Sequence, residues 1–321
     1  MPTVCVVIPA YNVGSIIPRA IESVLGQTFS DFEIVVVDDG SSDETASVVK
    51  QYRGDPRVQY VYQTNKGLPG ARNTGIRHAE SGLVAFLDAD DWWLPTKLEA
   101  QVRALARNPD AGGCFVGATL VFPDGSEEHT RRSPHQTDDT LYTRLLFGPA
   151  VTGSGSSMMV RKECFDVVGA FDERMMALED RDMWLRLAAQ FPIIAIDYPL
   201  VYIARAGPDN MTSDGRRMAR GATLLQQNIE RDMPERFRHL LPRVSRHNYL
   251  RIATDYLSVG DHLRCWKYCL KAIIARPRPD ADMVRWSRLV LRSLVPSKFR
   301  WWYRRRFRNT ELAGTRPKGT A

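Results

Sequence analysis

Apolar positions in the first part of the chain cluster into short runs. Val4–Ile8, Phe32–Val37, Val58–Tyr62 and Leu83–Leu87 are each four to six residues long and end in polar or turn-forming residues. Runs of that length with β-branched and aromatic content predict buried strands. The stretches between them carry helical spacing instead. Ile16, Ile17, Ala20, Ile21 and Val24 predict a helix over 15–25 with Ser15 as N-cap, and 43–52 and 68–79 read the same way, with Ser42 or Asp43 capping the former. Strand–helix alternation at this spacing predicts an α/β fold, a mostly parallel sheet with helices on both faces.

The middle of the chain is less regular. A strand is expected over 113–122, a turn at Pro123-Asp124-Gly125-Ser126, a polar loop over 131–140, a short strand at Met158-Met159-Val160 and an amphipathic helix over 179–189. After Thr212 strand signals stop and Arg-rich helical segments run to about Phe307. The expected organisation is an α/β domain over 1–212, an α-helical C-terminal region over 213–308 and a disordered tail over 309–321.

The strand ends carry the unusual chemistry. Pro9 and Tyr11 follow the first strand, Asp38 and Asp39 the second, and Asp88, Asp90 and Asp91 the fourth. Open α/β sheets place their ligand crevice at the carboxyl ends of strands. Three carboxylates within four positions repel one another unless a cation lies among them. Hard divalent ions are held by one or two carboxylates plus substrate phosphates. The pattern therefore points to a metal–diphosphate site.

Charge and cysteine usage narrow the picture only slightly. The 321 residues carry a net charge of +7, and residues 284–308 hold nine Lys/Arg and no acid. A basic balance suits nucleic acid, anionic membrane or acidic small molecules. Phe299, Trp302, Tyr303 and Phe307 fall at helical spacing among Lys298, Arg300, Arg304, Arg305 and Arg308. That pattern reads as an interfacial helix on anionic lipid, with docking on the catalytic domain and nucleic-acid binding as alternatives. The five cysteines are scattered without a CxxC, which predicts reduced, buried thiols; His262, Cys265 and Cys269 share a helix face but not a zinc-site spacing. Met1 leads directly into an apolar strand, and no run reaches membrane-spanning length. The expected location is the cytoplasm, with peripheral attachment at the inner face of the membrane.

Five landmarks in order resemble the inverting glycosyltransferases of family 2, with their GT-A fold. They are Val7-Ile8-Pro9-Ala10-Tyr11-Asn12; Glu33 through Asp43 with Asp38-Asp39-Gly40-Ser41-Ser42; Asn65-Lys66-Gly67 through Ala71-Arg72-Asn73-Thr74-Gly75; Phe86-Leu87-Asp88-Ala89-Asp90-Asp91; and Leu178-Glu179-Asp180 before Trp184-Leu185-Arg186. The resemblance spans roughly residues 3–212. It implies metal-dependent transfer of a sugar from a nucleotide diphosphate donor, UDP-linked, to a glycan or lipid-linked acceptor in cell-surface polysaccharide biosynthesis. It implies Asp39 as acceptor of the uracil N3–H, Tyr11 as the ring beside the base, and Pro9 as a backbone contact. Arg72 resembles a group that grips phosphate or ribose oxygens bidentately. Asp90 resembles the holder of Mn²⁺ or Mg²⁺, with Asp88 on ribose or metal. Asp180 resembles the base that deprotonates the acceptor, with Glu179 as its positioning partner. Asp91 is expected in a structural role, capping the helix after Pro95 or partnering a nearby base, and Thr152–Ser157 lies where the family lines its acceptor site.

One departure stands out. Where many members carry a histidine in an Arg-His-Pro-Gly-Asn-Met-Ser segment, this chain reads Arg205-Ala206-Gly207-Pro208-Asp209-Asn210-Met211-Thr212. Gly207 replaces the histidine, so metal binding here relies on other groups. Gly207 is also the feature most compatible with the alternative reading, a scaffold that keeps the fold and has weak turnover. A sugar-nucleotide pyrophosphorylase would need a Gly-rich loop after the first strand, where Pro9-Ala10-Tyr11-Asn12 stands. A haloacid-type phosphatase would need its acid pair after the first strand rather than the fourth.

Overall fold

The computed structural model describes residues 1–130, 138–153, 155–205 and 214–276. The expected loop over 131–140 lies partly outside these residues. Ser154, the segment around Gly207, the aromatic stripe over 299–307 and the tail lie wholly outside them.

In chain order the elements are β1 Val4–Ala10, α1 Ile17–Leu25, β2 Phe32–Asp38, α2 Thr45–Lys50, β3 Val58–Tyr62, α3 Gly67–His78, β4 Leu83–Phe86, β5 Trp92–Trp93, α4 Lys97–Arg107, β6 Gly113–Val121, β7 Glu127–Thr130, α5 Asp138–Phe147, β8 Met158–Arg161, α6 Cys164–Val168, α7 Glu179–Gln190, β9 Ile193–Ala204, α8 Gly215–Asp232, α9 Leu241–Ser258 and α10 His262–Ala275. One sheet runs in the order β3-β2-β1-β4-β8-β6-β9-β5, with β7 on β6. Strands β3, β2, β1 and β4 are mutually parallel, β8 turns antiparallel against β4 and β6, and β9 is parallel to β6.

The apolar-rich sequences of β1 and β2 reflect burial on both faces: every residue of both strands is buried, Glu33 and Asp38 included. Their register sets Ala10 beside Asp38 and Val7 beside Phe86, so the loops leaving β1, β2 and β4 meet at one edge. Gly75 lets α3 lie against β1, because a Cβ there would sit 2.2 Å from Val7 Cγ1. This close approach brings the N-terminal half of α3, with Arg72, under the sheet edge.

Ser15 does not cap α1. The helix starts at Ile17, Ile16 stands at the N-cap without a side-chain bond, and the Ile16 and Ile17 amides donate to Val13 O at 3.0 and 2.9 Å. Pro18 follows in the first turn and has no N–H to be capped. The loop ahead of the helix is instead tied to the β2–α2 loop: Asn12 N–H donates to Ser41 Oγ (3.0 Å), Val13 N–H to Thr45 Oγ1 (2.9 Å) and Gly14 N–H to Asp43 Oδ2 (3.0 Å). The N-cap of α2 is Glu44, without a side-chain bond, rather than the expected Ser42 or Asp43; Asp43, one residue earlier, accepts the Thr45 amide at 3.0 Å.

The described chain separates into two compact units, Met1–His239 and Leu240–Ala321. Helix α8, which sequence analysis places with the C-terminal region, belongs to the first unit. Asn228 on α8 donates to Asp182 Oδ1 on α7 at 2.8 Å, and both side chains are buried. In the second unit α9 and α10 pack on each other. All five cysteines are free and buried. No helix among the described residues is long and apolar enough to cross a membrane.

Candidate active site

The edge where β1, β2 and β4 end gathers most of the residues singled out by sequence. The two acids after β2 divide their work. Asp38 is spent on structure: Oδ1 accepts the Ser41 amide (2.8 Å) in an Asx-type turn and Oδ2 accepts the Tyr60 hydroxyl (2.6 Å). Asp39 is also buried, but only Oδ1 is engaged, by Gln63 Nε2 (2.6 Å) and the Lys66 amide (2.8 Å). Among the described residues Oδ2 of Asp39 accepts no hydrogen bond. Gln63 is itself oriented by Thr74 Oγ1, which donates to its Oε1 at 2.5 Å. Tyr11, at the end of β1, presents a ring that is 53% exposed, while Pro9 is buried within the strand.

The acids after β4 are equally unequal. Asp91 is buried and fully occupied: Ser156 donates to Oδ2 at 2.5 Å and the Ala204 amide to Oδ1 at 3.0 Å. It does not cap α4, whose N-cap is Thr96. Asp91 instead links the β4 loop to the end of β9 and to the turn before β8. Burial raises its carboxyl well above the usual range, and the neighbouring charges of Asp90 and Asp88 add to this. Asp90 is pushed up to about 6, by burial first and then by Asp88, with Arg19 acting the other way. Arg19 donates to the Asp90 carbonyl at 2.9 Å, and its guanidinium lies 3.6 Å from the centroid of the Trp92 ring, which stacks on Tyr202 at 5.0 Å. Trp93 is core, with Nε1 donating to Ser156 O at 2.9 Å.

Arg72 ties the two halves of the site together. Fully buried, it donates from Nη2 to Asp88 Oδ1 (2.7 Å) and from Nη1 to Glu179 Oε1 (2.8 Å). Here its two terminal nitrogens hold two carboxylates 91 positions apart in sequence. Burial alone would lower the Arg72 pKa, but Asp88, Glu179 and Asp180 outweigh it and raise the value. Gly155 covers the guanidinium; a Cβ there would lie 2.9 Å from Nη2 and 3.2 Å from Cζ. Nε of Arg72 has no acceptor among the described residues.

Glu179 and Asp180 open α7. Leu178 precedes them in the left-handed region at φ 63°, a conformation uncommon for a branched residue. The helix is pinned by Trp184, whose ring packs 6.3 Å from Phe86 and 6.0 Å from Phe171, and by Arg181 Nε, which donates to Leu145 O at 2.7 Å. Burial raises the Glu179 pKa, Arg72 pulls it down, and Asp180 and Asp88 raise it again. Asp180 is half-buried and accepts the Arg181 amide at 2.6 Å.

Ser156 is the residue sequence reasoning undervalued. It donates to Asp91, accepts the Asp88 amide at 3.0 Å and receives Trp93 on its carbonyl, so Ser156 ties the turn before β8 directly to the acidic loop. Arg19, Gln63 and Lys97 also carried no legible signal. Lys97 is fully buried behind this loop, with Nζ 3.6 Å from the Trp93 ring centroid and donating to Gln101 Oε1 at 2.7 Å. Among the described residues no three His, Cys, Asp or Glu side chains converge as a ready-made metal cage. The acidic loop nonetheless fits a divalent ion that keeps waters and phosphate oxygens: Asp91 is saturated, Asp88 is held on one oxygen by Arg72, and Asp90 is a crowded carboxylate that a cation would relieve.

Known proteins share this family and fold. Residues 5–169 match the model of glycosyl transferase family 2. An uncharacterized glycosyltransferase of Nostoc sp. is 42% identical over 176 residues, covering 53% of this chain and 54% of the relative. Another, from Rickettsia bellii, is 33% identical over 192 residues, 58% of this chain and 27% of its own length. The chain thus spans about half of the first relative and about a quarter of the second. Among solved structures, S. aureus TarS 1–349 in complex with UDP-GlcNAc superposes with a TM-score of 0.59 at 15% identity, covering 86% of this chain and 92% of that one. The mannosyltransferase PcManGT from Pyrobaculum calidifontis, in complex with GDP-Man and Mn²⁺, superposes with a TM-score of 0.58 at 20% identity, covering 94% and 83%. At these identities the structures speak for the fold, a GT-A-type mixed sheet. The family match covers more than half of the sequence and contains the acids after β2 and β4, so the chain belongs to glycosyl transferase family 2.

Proposed function

We propose that this protein transfers a sugar, with inversion, from a UDP-linked donor to a glycan or lipid-linked acceptor used in building cell-surface polysaccharide. The observation that carries the reading is the buried Arg72 bridge. It joins Asp88, in the diphosphate-facing loop, to Glu179, beside the acid best placed to act as base. Donor and acceptor chemistry thereby share one rigid element.

The residues divide as follows. The unengaged oxygen of Asp39 accepts the N3–H of uracil, the exposed Tyr11 ring stacks on the base, and the backbone at Pro9 completes the pocket. Asp90, with Asp88, holds Mn²⁺ or Mg²⁺ beside the diphosphate; an ion there supplies Lewis-acid stabilisation of the leaving group. Asp88 is oriented by Arg72 and by its own amide on Ser156. Asp180 takes the proton of the attacking hydroxyl, and Glu179, fixed by Arg72, positions it. One base with no nucleophile opposite it implies a single displacement and therefore inversion at the anomeric carbon. The complexes of TarS with UDP-GlcNAc and of PcManGT with GDP-Man and Mn²⁺ support a nucleotide-sugar donor on this fold. The basic C-terminal region suits attachment to an anionic membrane, where a lipid-linked acceptor resides.

The test is release of nucleotide from a panel of UDP- and GDP-sugars with Mn²⁺, Mg²⁺ or chelator. UDP-sugar turnover that depends on the ion is expected. Calorimetry that shows GDP bound more tightly than UDP, or turnover of none of the donors, would overturn the reading.

A further inference from the structure

The charges of the two units are opposed. Residues 1–239 contain 25 Lys/Arg against 32 Asp/Glu, a net −7, whereas residues 240–321 contain 19 against five, a net +14. The described part of the second unit adds a second asymmetry. Helix α10 buries Cys265, Tyr268, Cys269 and Ala272, the face that packs on α9. Its opposite face is apolar and open to solvent: Leu263 is 85% exposed, Trp266 38%, Leu270 57%, Ile273 41% and Ile274 69%. At helical spacing these five cover an arc of about 100°. Lys267, Lys271 and Arg264 border one side of that arc, and all three are exposed.

A helix that needs one face for its fold has no internal reason to keep the other apolar. Contiguous exposed apolar surface framed by charge marks an interaction site. The charge pattern selects the partner. The basic segment over 284–308 and a second copy of the same face would both bring positive charge against Lys267 and Lys271. Nucleic acid satisfies the lysines and leaves five apolar side chains in water. A bilayer with anionic headgroups satisfies both, because the apolar arc enters the acyl boundary while the lysines stay at headgroup level.

We infer that the solvent-facing side of α10 is a membrane-docking surface, inserting Leu263, Trp266, Leu270, Ile273 and Ile274 into an anionic leaflet. The inference rests on the membrane reading above and narrows it to one helix face. It is independent of the donor chemistry.

Vesicle co-sedimentation of the full chain tests it, with phosphatidylcholine vesicles that contain or lack phosphatidylglycerol. The wild type should bind the anionic vesicles and retain a salt-resistant fraction. The triple substitution Leu263→Ser, Leu270→Ser, Ile274→Ser should lower partitioning about tenfold or more and abolish the salt-resistant fraction. It should leave the melting temperature and UDP-sugar hydrolysis unchanged, because the replaced side chains lie on the solvent side. Leu270→Phe with Ile274→Phe should preserve binding, which guards against loss through misfolding. If the wild type binds and the triple variant binds equally, the face is not the docking surface while the membrane reading stands. If the wild type ignores anionic vesicles, both fall. Retention on an RNA oligonucleotide without vesicle binding would reassign the basic unit to nucleic acid.

Discussion

Replacing Arg72 with methionine tests the bridge most directly. Methionine keeps the aliphatic stem but not the guanidinium, so the change removes the charge and both hydrogen bonds and leaves the space beside Gly155 unfilled. Deleting one member of a buried ion pair costs about 3–5 kcal/mol, because the partner is left buried and charged. Here the two partners differ. The Asp88 side chain is 22% exposed and can rehydrate, whereas Glu179 is 7% exposed and cannot. Most of the loss should therefore fall on Glu179, whose carboxyl is already raised by burial and is lowered mainly by Arg72. Without Arg72 its folded-state pKa rises further above the unfolded value. A carboxyl raised in the fold favours folding when protonated, so this contribution is present at low pH and is lost as pH rises through the folded pKa. Each unit of additional shift is worth about 1.4 kcal/mol above that point. The variant should lose about 3–5 kcal/mol in urea denaturation at pH 7.5 and clearly less at pH 5. UDP-sugar turnover should fall by about a hundredfold or more, since Asp88 and Glu179 both lose their common anchor. A loss below about 1 kcal/mol that is the same at both pH values would refute the bridge as an energetic feature.

Asp90→Asn should abolish ion-dependent UDP binding by calorimetry while the melting temperature without ion is kept or raised; undiminished affinity would remove Asp90 from the metal site. Asp180→Asn should cut transfer to acceptor by about 10²–10⁴ and spare UDP affinity, and near-normal transfer would hand the base role to Glu179 or another group. Lys97, pushed down to about 7 by burial, binds fewer protons folded than unfolded, so wild-type stability should rise between pH 7 and 9. Relative to Lys97→Met that gain should be about 2–3 kcal/mol, and parallel pH profiles of the two proteins would show that the lysine stays charged over the Trp93 ring.

The parallel half of the sheet was legible because burial on both faces leaves strands dense in apolar residues, unbroken in Val4–Ile8 and interrupted only by Glu33 in Phe32–Val37. Strand β9 was not read from the sequence. Asp197 and Pro199 interrupt its pattern, and its pairing with β6 shifts register near Val116 and Gly117. Strand β5 is only two residues, Trp92 and Trp93, and exists because β9 lies antiparallel beside it. Helix α8 reads as part of the Arg-rich C-terminal stretch, and its tertiary contacts, the buried Asn228–Asp182 bond, Arg217 on the Met176 carbonyl and Gly221 against Ala177, assign it to the first unit. In each case the missing information is tertiary, and local periodicity does not carry it.

The same distinction governs the site. The carboxylates were visible because acids directly after apolar runs are conspicuous. What sequence spacing does not reveal is which of them keep an oxygen for a ligand. Asp38 and Asp39 are adjacent, yet Tyr60 and Ser41 consume the first and leave half of the second. Asp90 and Asp91 are adjacent, yet Ser156 and the Ala204 amide consume Asp91. Those partners lie up to 113 positions away, delivered by the turn before β8 and by the end of β9, which pairs with β5 just after the acidic loop. The saturated acids hold the loops in place, while Asp39 and Asp88 each keep one oxygen unengaged among the described residues. A change at Ser156 should therefore act on the acidic loop through Asp91 and Asp88, although its hydroxyl faces those two groups rather than any ligand. The roles proposed for Asp39, Asp90 and Asp180 follow the same division, in which their neighbours Asp38, Asp91 and Glu179 are spent on holding the loops and the Arg72 bridge.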